Sequence, residues 1–491
     1  MVNGSVMRPA IATASPLASR LPSWLLWPAL LVAAGVGVGS AIDPLVALVA
    51  LPLVVVVVCI WKWPALAAYL LLGVTPLIVG INRGSALPLI RLNEALALLV
   101  GVALMTRGLA RLRTGQIPRL RLDRVELSMV LLAIFSSVVP LLWMAVRTVQ
   151  IANDDLLYAL VLWKYLGLYL LIRMSVSTDR QVIRCLWISV GAACIVGVIA
   201  ILQSLGLFGV PRLLATWYPA FGFNGATNTF AARGSSTLGS PAATADLMVY
   251  NLAIVSGLWM RSRRHRVLLA PVAALLVLAS LSAGEFSSWI GLGVAVLSIA
   301  VVTNSGRLLK IFLPAGLLAS QILQPVFAAR FSGFQSVSGL PNSWTGRLQN
   351  LQNYFWPHLF SNWNYMLGVR PSPRVLVTTQ SNGYVWIESG YTWLLWAGGI
   401  PLLASFVFFV VATAKRGWDV AHRHAGAAGV AGIATFVAVV VTTVLMLVDA
   451  HLTFRGSGDA IFMFVALAMT VGKTLDSAAA PIYARKLAGE V

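Results

Sequence analysis

The sequence predicts an all-α, polytopic integral membrane protein with about 12–14 transmembrane helices and a large extracytoplasmic loop before the last helices. Of its 491 residues, 59% are hydrophobic and 10% are charged, whereas roughly 25% are charged in an ordinary soluble domain. The mean hydropathy is +0.86. The apolar residues form continuous runs rather than the alternating pattern of a membrane barrel. These observations exclude a soluble globular domain and a disordered chain.

Apolar runs recur along the whole chain, and most approach the length of about 20 residues that a membrane helix needs. They lie at 24–41, 44–61, 64–81, 88–106, 127–146, 156–173, 185–205, 242–260, 267–282, 286–303, 308–326, 389–413, 427–448 and 460–475. We therefore expect transmembrane helices over 24–326, with an outer loop near 207–241. A large extracytoplasmic loop at 327–388 and the last transmembrane helices at 389–475 follow. Residues 1–23 and 476–491 then form the two terminal segments.

The balance of charge indicates how these helices are oriented. The chain has 35 Lys and Arg residues against 15 Asp and Glu residues, a formal net charge of +20. On a soluble protein this charge would suggest nucleic acid as a partner. In so apolar a chain, basic cytoplasmic loops are the better explanation, and no nucleic-acid partner is expected. Strict alternation of the spans puts both termini and 24 basic residues in the cytoplasm, ten basic residues outside, and Lys164 within a span.

All ten basic residues on the predicted outer side are arginines. Guanidinium groups stay charged and bind phosphate oxygens through paired donors, so an outer pocket with several arginines suits a lipid-linked diphosphate. The alternative is that they contact lipid headgroups or outer carboxylates. Lys164 is a further candidate, because a charge within a span is costly and indicates either an acidic partner or a phosphate. The alternative for Lys164 is that its ammonium group simply extends to a membrane interface.

Short polar motifs follow one another between about 207 and 413. Arg233-Gly-Ser-Ser-Thr-Leu-Gly-Ser-Pro241 precedes an apolar run, and Arg330 begins the large loop. Next come Thr345-Gly-Arg347-Leu, Trp356-Pro, Leu367-Gly-Val369, Ser381-Asn382-Gly-Tyr384 and Glu388-Ser-Gly390. In order and spacing this set resembles the motifs of the O-antigen ligase/polymerase superfamily.

The resemblance implies a multi-pass glycosyltransferase of the bacterial cytoplasmic membrane. Members of this superfamily join polyprenyl-diphosphate-linked glycans to a glycan acceptor at the outer face, without a metal, a nucleotide sugar or another cofactor. By position, Arg233 and Arg347 would bind the diphosphate, and Arg330 and Lys164 are further candidates for it. The expected partners are the lipid-linked oligosaccharide, the acceptor and membrane lipids.

Two departures from the motifs concern catalysis. The superfamily has a histidine, its catalytic base, where this chain has Ser381, beside Asn382, and a serine hydroxyl is no base near neutral pH without a partner. The turn at 282–286 also lacks the superfamily's arginine and carries Glu285 instead. Glu388 is the favoured replacement base, since it would share a helical face with Ser381 if that segment were helical. His358 is the second candidate base.

Each candidate also has a structural alternative. Glu388 could instead pair with a loop arginine, and His358 could be a structural loop residue. Glu285 is expected to be an exposed turn residue, and Asp246 an ordinary acid near a helix start. The spacing of His, Cys, Asp and Glu residues predicts no metal site.

Three functions compete at this point: the glycosyltransferase, a transporter or flippase of lipid-linked sugars, and a non-catalytic scaffold that binds polysaccharide assembly proteins. A transporter would be expected to show internal repeats, and the two halves of the sequence show no convincing one. The scaffold hypothesis is supported by the two departures from the superfamily's motifs, at Ser381 and Glu285.

Overall fold

Among the residues that the computed structural model describes, seven helical segments are long and apolar enough to cross a membrane. They are 92–113, 124–146, 153–175, 179–204, 241–261, 390–423 and 427–445. The structure describes residues 44–82, 90–113, 122–218, 233–261, 265–306, 309–331, 342–377 and 383–470. The described residues are therefore mainly helical, as predicted, and their long apolar helices are compatible with a polytopic membrane protein, while the number of spans and their orientation stay predictions.

The helices are α1 (Pro44–Lys62), α2 (Ala65–Ile78), α3 (Leu92–Arg113), α4 (Arg124–Phe135), α5 (Val138–Val146), α6 (Asn153–Ala159), α7 (Val161–Ser175), α8 (Asp179–Ser204), α9 (Val210–Trp217), α10 (Pro241–Arg261), α11 (Arg266–Ser282), α12 (Phe286–Val302), α13 (Leu309–Ile322), α14 (Gln324–Phe331), α15 (Asn342–Asn350), α16 (Trp356–Phe360), α17 (Asn364–Leu367), α18 (Gly390–Arg423), α19 (Ala427–Leu445) and α20 (Ser457–Thr470). The described parts of the apolar runs from 44–61 onward are largely helical. The run 24–41 and both terminal segments, 1–23 and 476–491, lie outside the described residues.

Helix α10 lies at the centre of the bundle. Every residue from Pro241 to Leu258 is buried, and the helix packs against α8, α11, α12, α19 and α20. Helix α20 is buried along its described length as well. A helix that is apolar on every face belongs in such a protein core. The few polar side chains of α10 must therefore find partners inside the bundle.

The predicted loop near 207–241 contains a segment that is inserted between helices. Residues 235–238 are buried. They bond to the turn after α2 and to α8. Gly80 N–H donates to the Thr237 carbonyl at 2.9 Å, and the Ser236 hydroxyl donates to the Val196 carbonyl at 2.8 Å. Non-helical backbone at such a depth needs protein partners, because lipid offers none.

The predicted loop 327–388 contains helical stretches and one feature that the all-α prediction missed. Strands β1 (Arg374–Leu376) and β2 (Tyr384–Trp386) form an antiparallel pair with Val375 opposite Val385. The helix considered between Ser381 and Glu388 is therefore wrong, because residues 384–386 are extended. Ser381 and Asn382 themselves lie outside the described residues.

Backbone contacts fix this loop on α18. Val369 N–H donates to the Trp396 carbonyl at 2.7 Å. A Cβ at Gly368, whose φ is +94°, would lie 2.9 Å from the Gly398 nitrogen. The Leu-Gly-Val motif thus has a structural reason: only glycine allows this positive φ and this close approach.

Candidate functional site

Seven ionisable side chains gather where the helices of the bundle begin or end, at its predicted outer end. We call them the charged cluster; its members are Arg233, Asp246, Glu285, Arg347, Glu388, Asp449 and His451. They come from the segment before α10, α10 itself, the turn before α12, helix α15, the segment before α18 and the turn after α19. Residues far apart in the sequence therefore meet because their helix ends share one end of the bundle.

Arg233 is placed by the inserted segment that follows it. Gly234 N–H donates to the Ser282 carbonyl at 2.9 Å, and a Cβ at Gly234 would lie 2.8 Å from the Ser282 hydroxyl oxygen. This contact brings the Arg233 guanidinium to 4.0 Å from the Glu285 carboxylate. Glu285 is 16% exposed, so its interpretation as an exposed turn residue is wrong.

Arg347 lies on α15 between two carboxylates. Its Nε is 3.5 Å from Glu388 Oε1, a terminal nitrogen is 3.8 Å from Asp449 Oδ2, and its other terminal nitrogen donates to the Val448 carbonyl at 3.0 Å. Burial alone would lower the pKa of Arg347, but Asp449 and Glu388 outweigh it and raise that pKa. The guanidinium group is therefore firmly charged, and its donors face acidic and carbonyl oxygens.

Both carboxylates beside Arg347 hold protons more tightly than usual. Burial raises the pKa of Glu388, although Arg347 and a 3.4 Å hydrogen bond from Asn350 oppose it. Burial also raises the pKa of Asp449, against the effects of Arg347 and His451. Each side chain keeps some contact with solvent, 31% for Glu388 and 22% for Asp449. The pair is therefore accessible and can exchange protons.

His451 and Asp246 form a buried pair within the charged cluster. The His451 Nδ1 lies 2.8 Å from Asp246 Oδ2, and the two side chains are 1% and 2% exposed. Burial alone would lower the pKa of His451, but the carboxylates of Asp246 and Asp449 raise it overall. Asp246 is therefore not merely an acid near a helix start, as the sequence suggested; it fixes the turn after α19 to the central helix.

Glu285 joins the two arginines into a single cluster. Besides its contact with Arg233, its charge acts on Arg347, Glu388, Asp449 and His451. Four carboxylates thus face two guanidinium groups and one imidazole. This excess of acid is one reason, besides burial, why the pKa values of Glu388 and Asp449 are raised.

An aromatic surface adjoins the charged cluster. Phe286 follows Glu285 directly and lies 5.2 Å, centroid to centroid, from Trp289. Trp289 stacks on Phe327 at 4.4 Å and lies 5.9 Å from Phe331, and Trp344, one turn before Arg347, meets the edge of Phe286. Phe331 and Trp344 are exposed. Charged and aromatic surfaces thus lie side by side.

Three other predicted outer arginines clamp the large loop to neighbouring helices. Arg370 forms a bidentate pair with the fully buried Asp155 of α6, at 2.9 and 2.6 Å. Arg374 pairs with Asp154, and Arg147 donates to the Val369 carbonyl at 2.7 Å. For these arginines the carboxylate and carbonyl partners support the structural alternative, not a phosphate site.

The remaining predicted site residues lie apart from the cluster. Lys164 pairs with the buried Asp459 at 2.6 Å and lies 4.7 Å above the Tyr165 ring, so it has the acidic partner that was one of its alternatives. His358 is exposed on α16, and no hydrogen bond or ion pair joins it to the cluster within the described residues. Arg330 belongs to α14, and its side chain lies outside the described part, as do Ser381 and Asn382.

Sequence reasoning missed the contribution of Asp449 and His451. Their one available signal is local: two ionisable residues, two positions apart, in a short turn between apolar runs. Among the described residues, no group of three His, Cys, Asp or Glu side chains could hold a metal ion. No protein-family model, curated protein or solved structure matches the chain.

Proposed function

We propose that the protein is a membrane glycosyltransferase that transfers a glycan from a polyprenyl diphosphate to a sugar hydroxyl at the outer face of the bacterial cytoplasmic membrane. The observation that carries this proposal is the meeting of Arg233 and Arg347 in one partly exposed cluster beside an aromatic surface. An amphiphilic donor needs both: cationic groups for its diphosphate, and an apolar surface for its chain or sugar. The O-antigen ligase-like motifs around both arginines support the same function.

The arginines would stabilise the leaving group. As the bond between the anomeric carbon and the diphosphate oxygen breaks, its electron pair and the developing negative charge pass to the diphosphate. Guanidinium groups held in place before the reaction lower the barrier for such a charge shift. Arg347 would act most directly, because Glu388 and the Val448 carbonyl hold its guanidinium group in position.

Glu388 would act as the general base. It would accept the proton of the acceptor hydroxyl while the hydroxyl oxygen bonds to the anomeric carbon. A carboxylate with a raised pKa is a better proton acceptor than an ordinary one, and Glu388 has such a pKa beside the arginine that would hold the leaving group. His358 is the weaker candidate, because within the described residues it makes no polar contact with the cluster.

The aromatic surface would hold the apolar part of the donor or its sugar. Phe331 and Trp344 present exposed rings, and ring faces pack on prenyl chains and on the C–H faces of sugars through apolar contact. Trp344 lies one turn from Arg347 on α15, so the same helix would position both ends of the donor.

The decisive test is transfer by the purified protein in proteoliposomes, with polyprenyl-diphosphate oligosaccharides and glycan acceptors. Arg347→Ala and Arg233→Ala should each lower kcat about 100-fold, the usual magnitude for removing one electrostatic stabiliser, and Glu388→Gln should abolish transfer. Arg212→Ala is the matched control, because Arg212 is an exposed arginine on the same predicted side; it should keep wild-type activity.

Other outcomes would identify the competing functions. Transport of the lipid-linked sugar between leaflets without glycan transfer would indicate a flippase. A polysaccharide defect on deletion of the protein, fully rescued by Arg347→Ala and by Glu388→Gln, would indicate a scaffold. Either result would contradict the glycosyltransferase.

A further inference from the structure

We propose that Asp449 occupies the position of a donor phosphate on Arg347, and that the donor must displace it and cause it to take up a proton. This inference rests on the proposed function, because it concerns how the same site admits its diphosphate. Asp449 would act as a gate. Its carboxylate closes the site in the absence of donor, and the site opens when the donor binds and Asp449 takes up a proton.

The geometry of Asp449 is that of a substitute anion. Its Oδ2 lies 3.8 Å from a terminal nitrogen of Arg347, and its Oδ1 accepts a 2.7 Å hydrogen bond from the Ala450 N–H. Phosphate oxygens use the same two kinds of donor, guanidinium and backbone N–H. The carboxylate therefore already fills a place where a phosphate could bind.

Asp449, rather than Glu388, is the acid that the donor displaces from Arg347. Glu388 is the closer of the two to Arg347, and it also accepts a hydrogen bond from Asn350, one turn along the same helix. Two points on α15 thus hold Glu388, whereas a single, longer ion contact joins Asp449 to that helix. The Ala450 N–H would remain a partner for Asp449 once the donor has replaced Asp449 on Arg347.

The surrounding charges determine that a proton must accompany the donor. The groups that act on Asp449 are Arg347 on α15, His451 in its own turn, Glu285 before α12 and, from the segment before α18, Glu388 beside Arg347. With Asp246 and Arg233 included, acids already outnumber bases in this cluster. A doubly charged diphosphate that takes Arg347 would leave Asp449 among negative charges, where the protonated form is favoured.

The sign of the pH dependence follows from linkage. If donor binding takes up one proton, affinity rises as the pH falls, by about tenfold per pH unit above the pKa of free Asp449. A suitable probe is synthetic farnesyl-diphospho-N-acetylglucosamine, because both of its phosphates are esterified and its own charge is constant between about pH 5.5 and pH 8. Any change in affinity over that range then belongs to the protein.

The experiment is calorimetric binding of this probe to the full-length protein in nanodiscs, in buffers of different ionisation enthalpy. Wild type should bind more tightly at low pH and take up close to one proton per donor. Asp449→Asn and Asp449→Ser should bind at least tenfold more tightly than wild type at pH 8 and lose the pH dependence. Glu388→Gln is the matched control: it should keep the pH dependence of binding even though it abolishes transfer.

Each alternative result has one meaning. Wild-type binding without proton uptake, or an unchanged pH dependence in the Asp449 variants, would overturn the gate and leave the proposed function intact. Loss of the pH dependence in Glu388→Gln alone would show that Glu388, not Asp449, takes up the proton, and it would also overturn the gate. Failure of wild type and of both Asp449 variants to bind the probe at any pH would contradict the diphosphate site itself. The proton count of wild type decides the matter even if a variant fails to fold.

Discussion

Two ion pairs join residues that lie far apart in this chain; one is fully buried, and in the other only the aspartate is. Lys164 meets Asp459, and His451 meets Asp246. A charge removed from water is costly unless its partner and its hydrogen bonds compensate for it, and breaking such a pair by removing one partner costs roughly 3–5 kcal/mol. These pairs therefore fix the ends of α20 and of the turn after α19 more firmly than exposed pairs could.

The His451–Asp246 pair should make stability depend on pH. The folded-state pKa of His451 is raised above its unfolded value, near 6.5. Its contribution to stability is therefore complete below about pH 6.5 and is lost as the pH rises through the raised pKa. The unfolding temperature of wild type in detergent should fall over that range, whereas that of His451→Gln should change less.

The control for this prediction is the double variant. His451→Gln alone should lose about 3 kcal/mol near pH 6, because it leaves Asp246 buried and unpaired. Asp246→Asn combined with His451→Gln should recover part of that loss, since no uncompensated charge remains. Identical pH dependences for wild type and His451→Gln would refute a titrating pair.

At the scale of elements, loop segments are held by contacts to helix ends. The first turn of α6 holds the segment before β1, because the Asp155 carboxylate accepts hydrogen bonds from Arg370 and from the Ser372 and Ala152 N–H groups. An acid in this position is also favoured by the N-terminus of its helix. The sequence contains no local signal for this contact, since 215 residues separate Arg370 from Asp155.

Two neighbouring aspartates allow a matched test of this clamp. Asp155 is fully buried, whereas Asp154, the partner of Arg374, is 28% exposed. Asp155→Asn should lower the free energy of unfolding by about 3 kcal/mol, and Asp154→Asn by less than about 1 kcal/mol. Urea unfolding in mixed micelles measures both, and limited proteolysis of segment 368–373, before β1, should become faster only in Asp155→Asn. Equal losses would show that burial does not determine the strength of these pairs.

At the scale of the whole molecule, the sequence predicts helices well and the site only in part. Lipid requires continuous apolar segments with internal hydrogen bonds, so hydropathy alone marks most of the helices. Arg233, Arg347 and Glu388 were recognisable because they lie in motifs. Asp449 and His451 were not, because their role depends on which helix ends share one end of the bundle. The β1–β2 pair was missed since its strands are three residues each.

The orientation of the bundle is the prediction on which the outer placement of the charged cluster depends. Basic loops favour a cytoplasmic position for the C-terminal end of α18 and an outer position for the loop that carries α16. Ser361 and Arg423 are exposed on these two segments and, in a variant whose three native cysteines are replaced, can each be changed to cysteine. In intact spheroplasts a membrane-impermeant maleimide should label Ser361→Cys at once and Arg423→Cys only after lysis. The reverse pattern would show that the bundle has the opposite orientation in the membrane. The charged cluster would then face the cytoplasm, and its arginines could not bind an outer-leaflet donor.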